Sequence, residues 1–325
     1  MIETSELKKS FRTGRGPRRH IVHAVAGIDL RVKESEIFGF LGPNGAGKST
    51  TLHMLATLVA PDSGTASIAG VDLLRQPGLV RRRIGLVAQQ SGTTDEMTPR
   101  EELILYGRLH RLGRAEAGRR ADRLIEDFEL GEFAGRRCRT LSGGQRRRVD
   151  LALGVVHEPT VLLLDEPTAG LDPSSRTLLW REIRRLRAAG TSVVLTTHYL
   201  EEADALCDRV SIVDHGRIVA EGTPEELKRQ VSGDVVTLRL AGAAAAAARL
   251  IEGQSCLREL EVTSDTALRL VVDRGTTAIP VLMRLLDAAE VEIRELAVHQ
   301  PSLDDVFLCR TGRSLGAPEE GEVPA

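Results

Sequence analysis

Aromatic residues are scarce in this sequence, and its charges nearly cancel. Phe, Trp and Tyr make up 3% of the 325 residues, and 44 Lys and Arg stand against 46 Asp and Glu, for a net charge of −2. Proteins that bind single-stranded nucleic acid combine stacking aromatics with a basic groove, and a large field of one sign draws a chain to nucleic acid. The composition therefore predicts no nucleic-acid partner.

Cysteines and long apolar runs are also few. Cys138, Cys207, Cys256 and Cys309 are scattered, without the C-x-x-C spacing of a zinc or redox site, and are expected to be reduced thiols of a cytosolic protein. No apolar run approaches the roughly 18 residues of a transmembrane helix, and the N-terminus has no apolar signal segment. We therefore expect no membrane span, so that any membrane step needs another subunit.

The most informative segment is rich in glycine. Residues 41–50 (LGPNGAGKST) fit G-x-x-x-x-G-K-[ST], a phosphate-binding loop. Its glycines leave backbone N–H groups unshielded at a helix N-terminus, where these groups can converge on phosphate oxygens. Lys48 adds a mobile positive charge for the β- and γ-phosphates, and the Ser49 hydroxyl can ligate Mg²⁺. The loop predicts that a nucleoside triphosphate binds.

A pair of carboxylates follows a second apolar run. Residues 161–166 (VLLLDE) are typical of a buried parallel strand with acids at its C-terminal end, and open α/β sheets bind ligands at that end. Asp165 is expected to hold Mg²⁺ through water, and Glu166 to polarise the attacking water. The two segments together predict hydrolysis of the bound triphosphate.

A third segment narrows the class of protein. In residues 141–145 (LSGGQ), two glycines follow Ser142 just before a predicted helix, and this second donor-rich N-terminus can cap a γ-phosphate. Paired with the phosphate loop, the segment resembles the nucleotide-binding domain of ABC (ATP-binding cassette) proteins. The resemblance implies an α/β fold, a P-loop NTPase cassette with a mixed-sheet core and a helical subdomain.

Other segments match the same family in the family's order. Residues 169–172 (AGLD) are similar to its D-loop, and residues 84–89 (IGLVAQ) end a predicted strand on Gln89, at the Q-loop position. A strand at 192–197 leads to His198, at the position of the switch histidine. Residues 7–11 (LKKSF) match the segment whose aromatic residue, usually Tyr, stacks on adenine, and Phe11 keeps the π-face. An isolated Phe near a terminus could instead belong to the core.

The family's functional residues carry over position by position. The resemblance implies that catalysis depends on Lys48, Gln89, Glu166 and His198. It implies that ATP is held by Phe11, Gly42, Asn44, Gly45, Gly47, Lys48, Ser49, Thr50, Gln89, Ser142, Gly144, Asp165 and Asp172, and Mg²⁺ by Ser49, Gln89 and Asp165. In this family two copies sandwich two ATP molecules head to tail, so the expected assembly is a homodimer.

The sequence pattern divides the chain at about residue 230. Residues 1–230 hold every ATP motif, with a helix-rich stretch at about 90–157 that resembles the helical subdomain. Residues 231–313 show the order β-α-β-β-α-β of a small α+β ferredoxin-like domain. They contain no glycine-rich loop or catalytic pair, so a regulatory, docking or dimerisation role is expected. Residues 314–325 are predicted to form a disordered acidic tail.

The C-terminal segment points to one branch of the family. Residues 301–308 (PSLDDVFL) resemble the C-terminal signature of the daunorubicin-resistance subfamily of ABC exporters, and Ser302 can cap a short helix there. The apolar face of that helix either seals the small domain or docks a partner. Members of the branch often vary the signature and sometimes replace the switch histidine. This chain keeps Gln145 and His198, so an active hydrolysis site is expected.

The resemblance implies an ATPase that powers efflux of a drug, antibiotic or amphipathic metabolite. A separate multi-span membrane subunit would form the path, and this chain would be peripheral on the cytoplasmic face of the cell membrane. Soluble ABC ATPases of translation or DNA repair are an alternative. The former normally carry two cassettes and the latter insert coiled coils or zinc modules, and neither feature occurs here. A transporter of lipid or polysaccharide would share these motifs, because its cargo contacts lie in the membrane subunit.

Overall fold

Three short strands, Ile37–Leu41, Val161–Asp165 and Ser192–Thr197, have every residue buried. Their central residues are apolar without alternation, and such strands need cover on both faces. They lie side by side in parallel, and the helices Lys48–Leu55 and Pro173–Ala188 pack against them. This layer is the centre of the first of two units.

A computed structural model provides the structure and describes residues 1–13, 20–231, 233–299 and 301–312. The chain forms two units, Met1–Pro224 and Glu225–Ala325. In the described part of the first unit, the strands are β1 (Ile2–Thr13), β2 (His20–Val32), β3 (Ile37–Leu41), β4 (Ser63–Ile68), β5 (Val71–Asp72), β6 (Ile84–Val87), β7 (Val161–Asp165), β8 (Ser192–Thr197), β9 (Arg209–Asp214) and β10 (Arg217–Gly222). The helices are α1 (Lys48–Leu55), α2 (Pro77–Arg83), α3 (Pro99–Leu109), α4 (Arg114–Asp127), α5 (Gly143–Gly154), α6 (Pro173–Ala188) and α7 (Leu200–Leu206).

Two sheets build the first unit. One is antiparallel, in the order β2-β1-β4-β5, and the other is six-stranded, in the order β10-β9-β3-β8-β7-β6. The six-stranded sheet is parallel except for β10, which pairs antiparallel with β9. One apolar core joins the two sheets, with Ile28 from the first and Phe40 and Leu163 from the second. The predicted α/β fold with a mixed-sheet core is confirmed.

The parallel strands fix the position of the predicted site. Strands β3, β8, β7 and β6 are neighbours and run in one direction, so their C-terminal ends meet at one edge, where open α/β sheets bind ligands. Lys48, Gln89, Glu166 and His198 each follow one of these strands. One boundary differs from the expectation, because β6 ends at Val87 and Gln89 lies beyond it. Ala88 lies between the end of β6 and Gln89, and its carbonyl accepts a hydrogen bond from the Arg147 side chain.

Helices occupy the stretch predicted to be a helical subdomain. Between residues 90 and 157 the regular elements described are α3, α4, α5 and a short 3-10 turn. The predicted start of α3 is confirmed. Thr98 caps the helix, Pro99 is its first residue, and the Glu101 side chain accepts a hydrogen bond from the Thr98 N–H. This reciprocal capping box satisfies two helix-end donors.

In the second unit, two of the helices described pack on one four-stranded sheet. Its elements are α8 (Pro224–Val231), which begins at the unit boundary, β11 (Asp234–Leu240), α9 (Ala244–Ile251), β12 (Leu257–Ser264), β13 (Ala267–Val272), α10 (Gly275–Ala288), β14 (Ile293–His299) and α11 (Leu303–Thr311). The sheet order is β12-β13-β11-β14, with every pair antiparallel. Alternate residues of β11 join α9 and α10 in a separate apolar core. The predicted β-α-β-β-α-β order is confirmed.

The helix α11 has the cap that the sequence predicts. Ser302 accepts from the Asp305 N–H, and the Asp305 carboxylate accepts from the Ser302 N–H. Leu303, Val306 and Phe307 are buried within this chain, which argues against docking of a partner on this face, and its sealing of the small domain stays a prediction. The predicted acidic tail, 314–325, lies outside the described residues. Among the helices described, none is both long enough and apolar enough to cross a membrane.

Candidate active site

The glycine-rich loop follows β3 and leads into α1. Gly45 and Gly47 have φ of +79° and +100°, in the left-handed region that favours glycine. A Cβ on Gly47 would lie 2.2 Å from the carbonyl oxygen of Ala24, and one on Gly42 would lie 2.2 Å from that of Val213. No other residue type fits at these two positions without movement of the backbone. Asn44 is exposed in this loop, and Thr50 is half-buried in the first turn of α1.

Lys48 is the first residue of α1, and its side chain is 4% exposed. Its ammonium donates to the carbonyl oxygens of Gly42 at 2.7 Å and Pro43 at 2.8 Å. Burial lowers the pKa of Lys48, while the charges of Glu166 and Asp165 act to raise it. Both carboxylates therefore act electrostatically on the ammonium, which can move from the loop carbonyls to an anion.

Asp165, at the end of β7, is surrounded by polar side chains. Its Oδ1 accepts from Ser49 Oγ at 2.8 Å and from Thr196 Oγ1 at 2.6 Å, and its Oδ2 lies 3.4 Å from His53 Nε2. Carboxylate and hydroxyl oxygens are the ligands that Mg²⁺ prefers, and this ion usually takes one or two protein carboxylates together with waters and phosphate oxygens. The described residues contain no group of three or more His, Cys, Asp or Glu placed for a metal, so Ser49 and Asp165 fit Mg²⁺ better than an ion that needs a full protein cage.

Glu166 brings three of the predicted catalytic residues together. Its Oε2 accepts from Gln89 Nε2 at 3.1 Å, and its Oε1 lies 3.2 Å from His198 Nδ1. Because an ionised carboxylate only accepts, His198 Nδ1 must carry the proton in this contact. The backbone of Glu166 has φ of +43°, and its N–H donates to Thr196 Oγ1 at 3.0 Å. The arrangement can hold a carboxylate ready to take a proton from water.

Gln89 was predicted both for catalysis and for the metal. The structure places its amide nitrogen on Glu166, whereas Ser49 and Asp165 contact each other directly. The metal-ligand role of Gln89 therefore stays a prediction.

The signature segment and the D-loop lie at the starts of two packed helices. Ser142 is the N-cap of α5, where its Oγ accepts from the Gln145 N–H and its own N–H donates to the Gln145 side chain. A Cβ on Gly144 would lie 2.4 Å from Ser175 Oγ, so α5 and α6 meet at this point. Asp172 caps α6, and hydrogen bonds from Ser174 and Ser175 hold the pKa of its carboxyl well below the usual range.

Within the described residues, the side-chain hydrogen bonds of Ser142 stay inside its own capping box. None of the hydrogen bonds described joins Ser142, Gly144 or Asp172 to the glycine-rich loop.

Phe11 lies in β1 opposite Val22 of β2. Its side chain is 38% exposed, and Lys9 Nζ lies 5.6 Å from the ring centroid. The exposure argues against a core role. Adenine stacking stays a prediction.

Sequence reasoning missed several polar side chains that support this site. Thr196 lies opposite Asp165 in the pairing of β8 with β7, and a Thr at the end of an otherwise apolar strand was a usable signal. Arg147, which is 7% exposed, donates to carbonyls at the ends of β6 and β7. Burial lowers the pKa of Arg147, opposed by the charges of Asp150, Asp165 and Glu202. The run of arginines at 146–148 concealed which of the three is buried.

Comparisons with known proteins agree with this geometry. Residues 25–169 match the family model described as ABC transporter, and residues 222–311 match that of the ATP-binding protein DrrA1-3-like C-terminal domain. The daunorubicin resistance ATP-binding protein DrrA3 of Streptomyces coeruleorubidus is 46% identical over 89% of this chain and 91% of its own length. The daunorubicin/doxorubicin resistance ATP-binding protein DrrA of Streptomyces peucetius is 44% identical over 96% of this chain and 92% of its own length.

A solved structure matches the first unit. It is the dimeric, post-hydrolysis ATP-binding cassette MJ0796 bound to ADP and Pi, which aligns with a TM-score of 0.62 at 27% identity. The alignment covers 69% of this chain and 98% of that structure. The likeness therefore covers a whole cassette of that protein.

Proposed function

We propose that this chain powers export of a drug, antibiotic or amphipathic metabolite. It belongs to the ABC transporter family and to the daunorubicin-resistance (DrrA-like) group of ATP-binding proteins within that family. The chain binds ATP and is an ATPase. The observation that carries the proposal is the contact of Glu166 with Gln89 and His198, in a chain that matches a drug-resistance relative over 89% of its length. These relatives do not favour a role in translation or DNA repair.

The glycine-rich loop is assigned to the phosphates of ATP. Backbone N–H groups of the loop from Gly42 to Thr50, which includes Asn44 and in which only Pro43 has no N–H, would surround the phosphate oxygens. Lys48 would move from the loop carbonyls to the β- and γ-phosphates. Ser49, Asp165 and Gln89 would hold Mg²⁺, which would neutralise charge on the phosphate oxygens.

Glu166 is assigned as the general base. A water held between its carboxylate and the γ-phosphate attacks phosphorus, the proton passes to Glu166, and the bond from phosphorus to the β,γ-bridging oxygen breaks. His198 and Gln89 already bond the two carboxylate oxygens. These two side chains therefore orient the base.

ABC cassettes work as dimers with a separate membrane subunit. We assign Ser142, Gly144 and Asp172 to the nucleotide of the opposite copy in a head-to-tail homodimer, where the γ-phosphate makes charge-assisted contacts with both copies. Loss of that phosphate removes the bridge and opens the dimer. The opening would drive the membrane subunit, with this chain peripheral on the cytoplasmic face of the membrane. The unit from Glu225 onward would serve docking, dimerisation or regulation.

The first experiment is capture of membrane partners by tagged Glu166→Gln protein with ATP, from gently solubilised host membranes, followed by mass spectrometry. The variant is expected to hold the closed dimer and to retain a stoichiometric multi-span membrane protein. Tagged Lys48→Ala, treated identically, is the control and is expected to retain less of it. Recovery with ribosomal or DNA-associated proteins in place of a membrane subunit would contradict the exporter assignment.

Stacking of adenine on Phe11 predicts a loss of ATP affinity in Phe11→Ala. Removal of one base–aromatic stack costs about 1–3 kcal/mol, so the dissociation constant should rise about 5- to 150-fold. Phe11→Tyr keeps the ring and should bind as the wild type does. Ile21→Ala, at a residue 58% exposed in the adjacent strand, is the control. Equal affinity of Phe11→Ala and Ile21→Ala in calorimetric titration would remove Phe11 from the site.

A further inference from the structure

Arg147 is a buried guanidinium that bonds main-chain carbonyls. It lies on α5, and its side chain donates through Nε to Pro167 at 2.7 Å and through Nη2 to Asp165 at 3.0 Å and Glu166 at 3.3 Å. On its other side, Nη1 donates to Ala88 at 2.6 Å. Within the described residues, its hydrogen bonds go to carbonyl oxygens of the main chain and to no side chain.

These carbonyls belong to the ends of two neighbouring strands. Ala88 follows β6 and precedes Gln89, while Asp165 and Glu166 end β7 and begin the turn after it. The planar guanidinium has five donors in a fixed fork, so it can bond two strand ends at once through separate nitrogens, whereas a lysine has all three of its donors on one nitrogen. Charge-assisted bonds of this kind are about twice as strong as neutral ones. Arg147 therefore fixes the backbone that carries Gln89 and Glu166.

The backbone of Glu166 needs such support. Its φ of +43° is uncommon for a residue other than glycine. The Glu166 N–H is held by the oxygens of Thr196, and the Glu166 carbonyl accepts from Arg147. The conformation that aims the carboxylate at Gln89 and His198 is thus held on both sides, once by β8 and once by α5.

Asp150 gives α5 a second attachment, one turn after Arg147. It is 6% exposed, and its Oδ1 accepts from Ser91 Oγ at 3.0 Å and from the Gly92 N–H at 3.0 Å. Ser91 and Gly92 lie two and three residues after Gln89 in the chain. The helix α5, which Ser142 caps, therefore holds the chain on both sides of Gln89, at Ala88 and at residues 91–92.

We propose that Arg147, assisted by Asp150, is a positioning residue that couples the N-terminus of α5 to the catalytic backbone. Contact of Ser142 with a nucleotide on the partner copy moves α5, and the carbonyls bound by Arg147 move with it. Glu166 and Gln89 thereby reach their working geometry only when the opposite site is engaged. Arg147 acts through the backbone and does not touch ATP. The coupling rests on the function proposed above, because it needs the head-to-tail dimer.

The test uses the full-length chain with Arg147→Gln, Arg147→Lys and the control Arg148→Gln. Arg148 is the next residue of α5, and it donates to the Glu129 carbonyl at 3.3 Å and lies over the Phe133 ring. For Arg147→Gln we expect kcat for ATP to fall about 10- to 100-fold, the size of effect seen when support of a catalytic group is lost. The ATP dissociation constant should stay within about twofold, because ground-state binding is untouched. Arg147→Lys should be intermediate.

The thermal midpoint and the folded fraction of each variant separate positioning from folding. If Arg147 only stabilises the fold, Arg147→Gln will have a lower midpoint but a normal kcat per folded molecule, and the proposal is overturned. The same follows if its kcat equals that of Arg148→Gln, or if KM rises at constant kcat. Should Arg147→Gln fail to fold, a wild-type kcat in Arg147→Lys would overturn the proposal.

Coupling to Ser142 has its own readout. In a double-mutant cycle, Ser142→Ala and Arg147→Gln should together lower kcat by less than the product of the single effects, because both interrupt one connection. Independent effects that multiply would overturn the coupling. A wild-type chain that fails to bind or hydrolyse ATP would overturn the proposed function and this role with it. Wild-type turnover beside unchanged Arg147→Gln turnover would overturn only the role of Arg147.

Discussion

Replacing Glu166 by Gln is expected to slow ATP turnover about 10²- to 10⁴-fold, the usual contribution of a positioned general base. An amide has nearly the shape of the carboxylate but cannot accept the proton of the attacking water. Its oxygen can still accept from Gln89 Nε2, which lies 3.1 Å from Glu166 Oε2. Its NH₂ group can donate to His198 Nδ1 once the imidazole takes the other tautomer, so the site should keep its geometry. ATP affinity should be preserved, and the variant should form a stable ATP-dependent dimer on size-exclusion chromatography.

Glu182→Gln is the matched control for this prediction. Glu182 is a buried carboxylate, 4% exposed, that pairs with Arg181 and Arg185 of its own helix, and no catalytic residue contacts it in the described structure. Its replacement should leave turnover per folded molecule near that of the wild type. A turnover of Glu166→Gln within about threefold of the wild type would show that another group takes the proton, since loss of a base costs far more.

Lys48→Ala is expected to abolish tight binding of ATP and not only its hydrolysis. Truncation of one partner of a buried, hydrogen-bonded charge pair costs about 2–5 kcal/mol, so the ATP dissociation constant should rise at least ~30-fold. Isothermal titration calorimetry measures this directly. The exposed Lys33 in the same unit, changed to Ala, controls for the loss of one positive charge and should bind ATP normally.

The thermal midpoint of Lys48→Ala is a necessary check, because its ammonium also donates to the carbonyls of Gly42 and Pro43. A lower midpoint with normal ATP affinity would make Lys48 a structural residue of the loop. The two variants are thus separable: Glu166→Gln should bind ATP without turning it over, whereas Lys48→Ala should fail to bind it.

The sheet and the order of the site residues could be predicted because each depends on local sequence. An apolar run that ends in a polar residue predicts both a buried strand and the edge at which that polar residue lies. Asp165, Glu166 and His198 were placed in this way, and the structure brings Glu166 and His198 into contact. The order of strands and helices in the second unit could be predicted for the same reason, because these elements have clear periodicity.

The buried polar side chains that support the site could not be predicted, because their contacts depend on the rotation of a helix and the register of strands. Arg146, Arg147 and Arg148 are identical letters in a row, yet Arg146 bonds the Asp95 carboxylate and the Cys138 carbonyl while Arg147 reaches two strand ends. Asp150 resembles any polar residue of an exposed helix face until its bonds to Ser91 and Gly92 are seen. Such contacts between distant segments require three-dimensional packing to be known.

The left-handed backbone of Glu166 lowers the stability of the chain at a residue that its activity requires. Glycine adopts a φ of +43° without the steric cost that a side chain incurs, and Asn or Asp tolerates it better than Glu does. Laboratory evolution that selects only for thermal resistance would therefore favour replacement of the one side chain that takes the proton. A thermostable variant obtained in that way would be folded and inert, so engineering of this protein has to include turnover among its selection criteria.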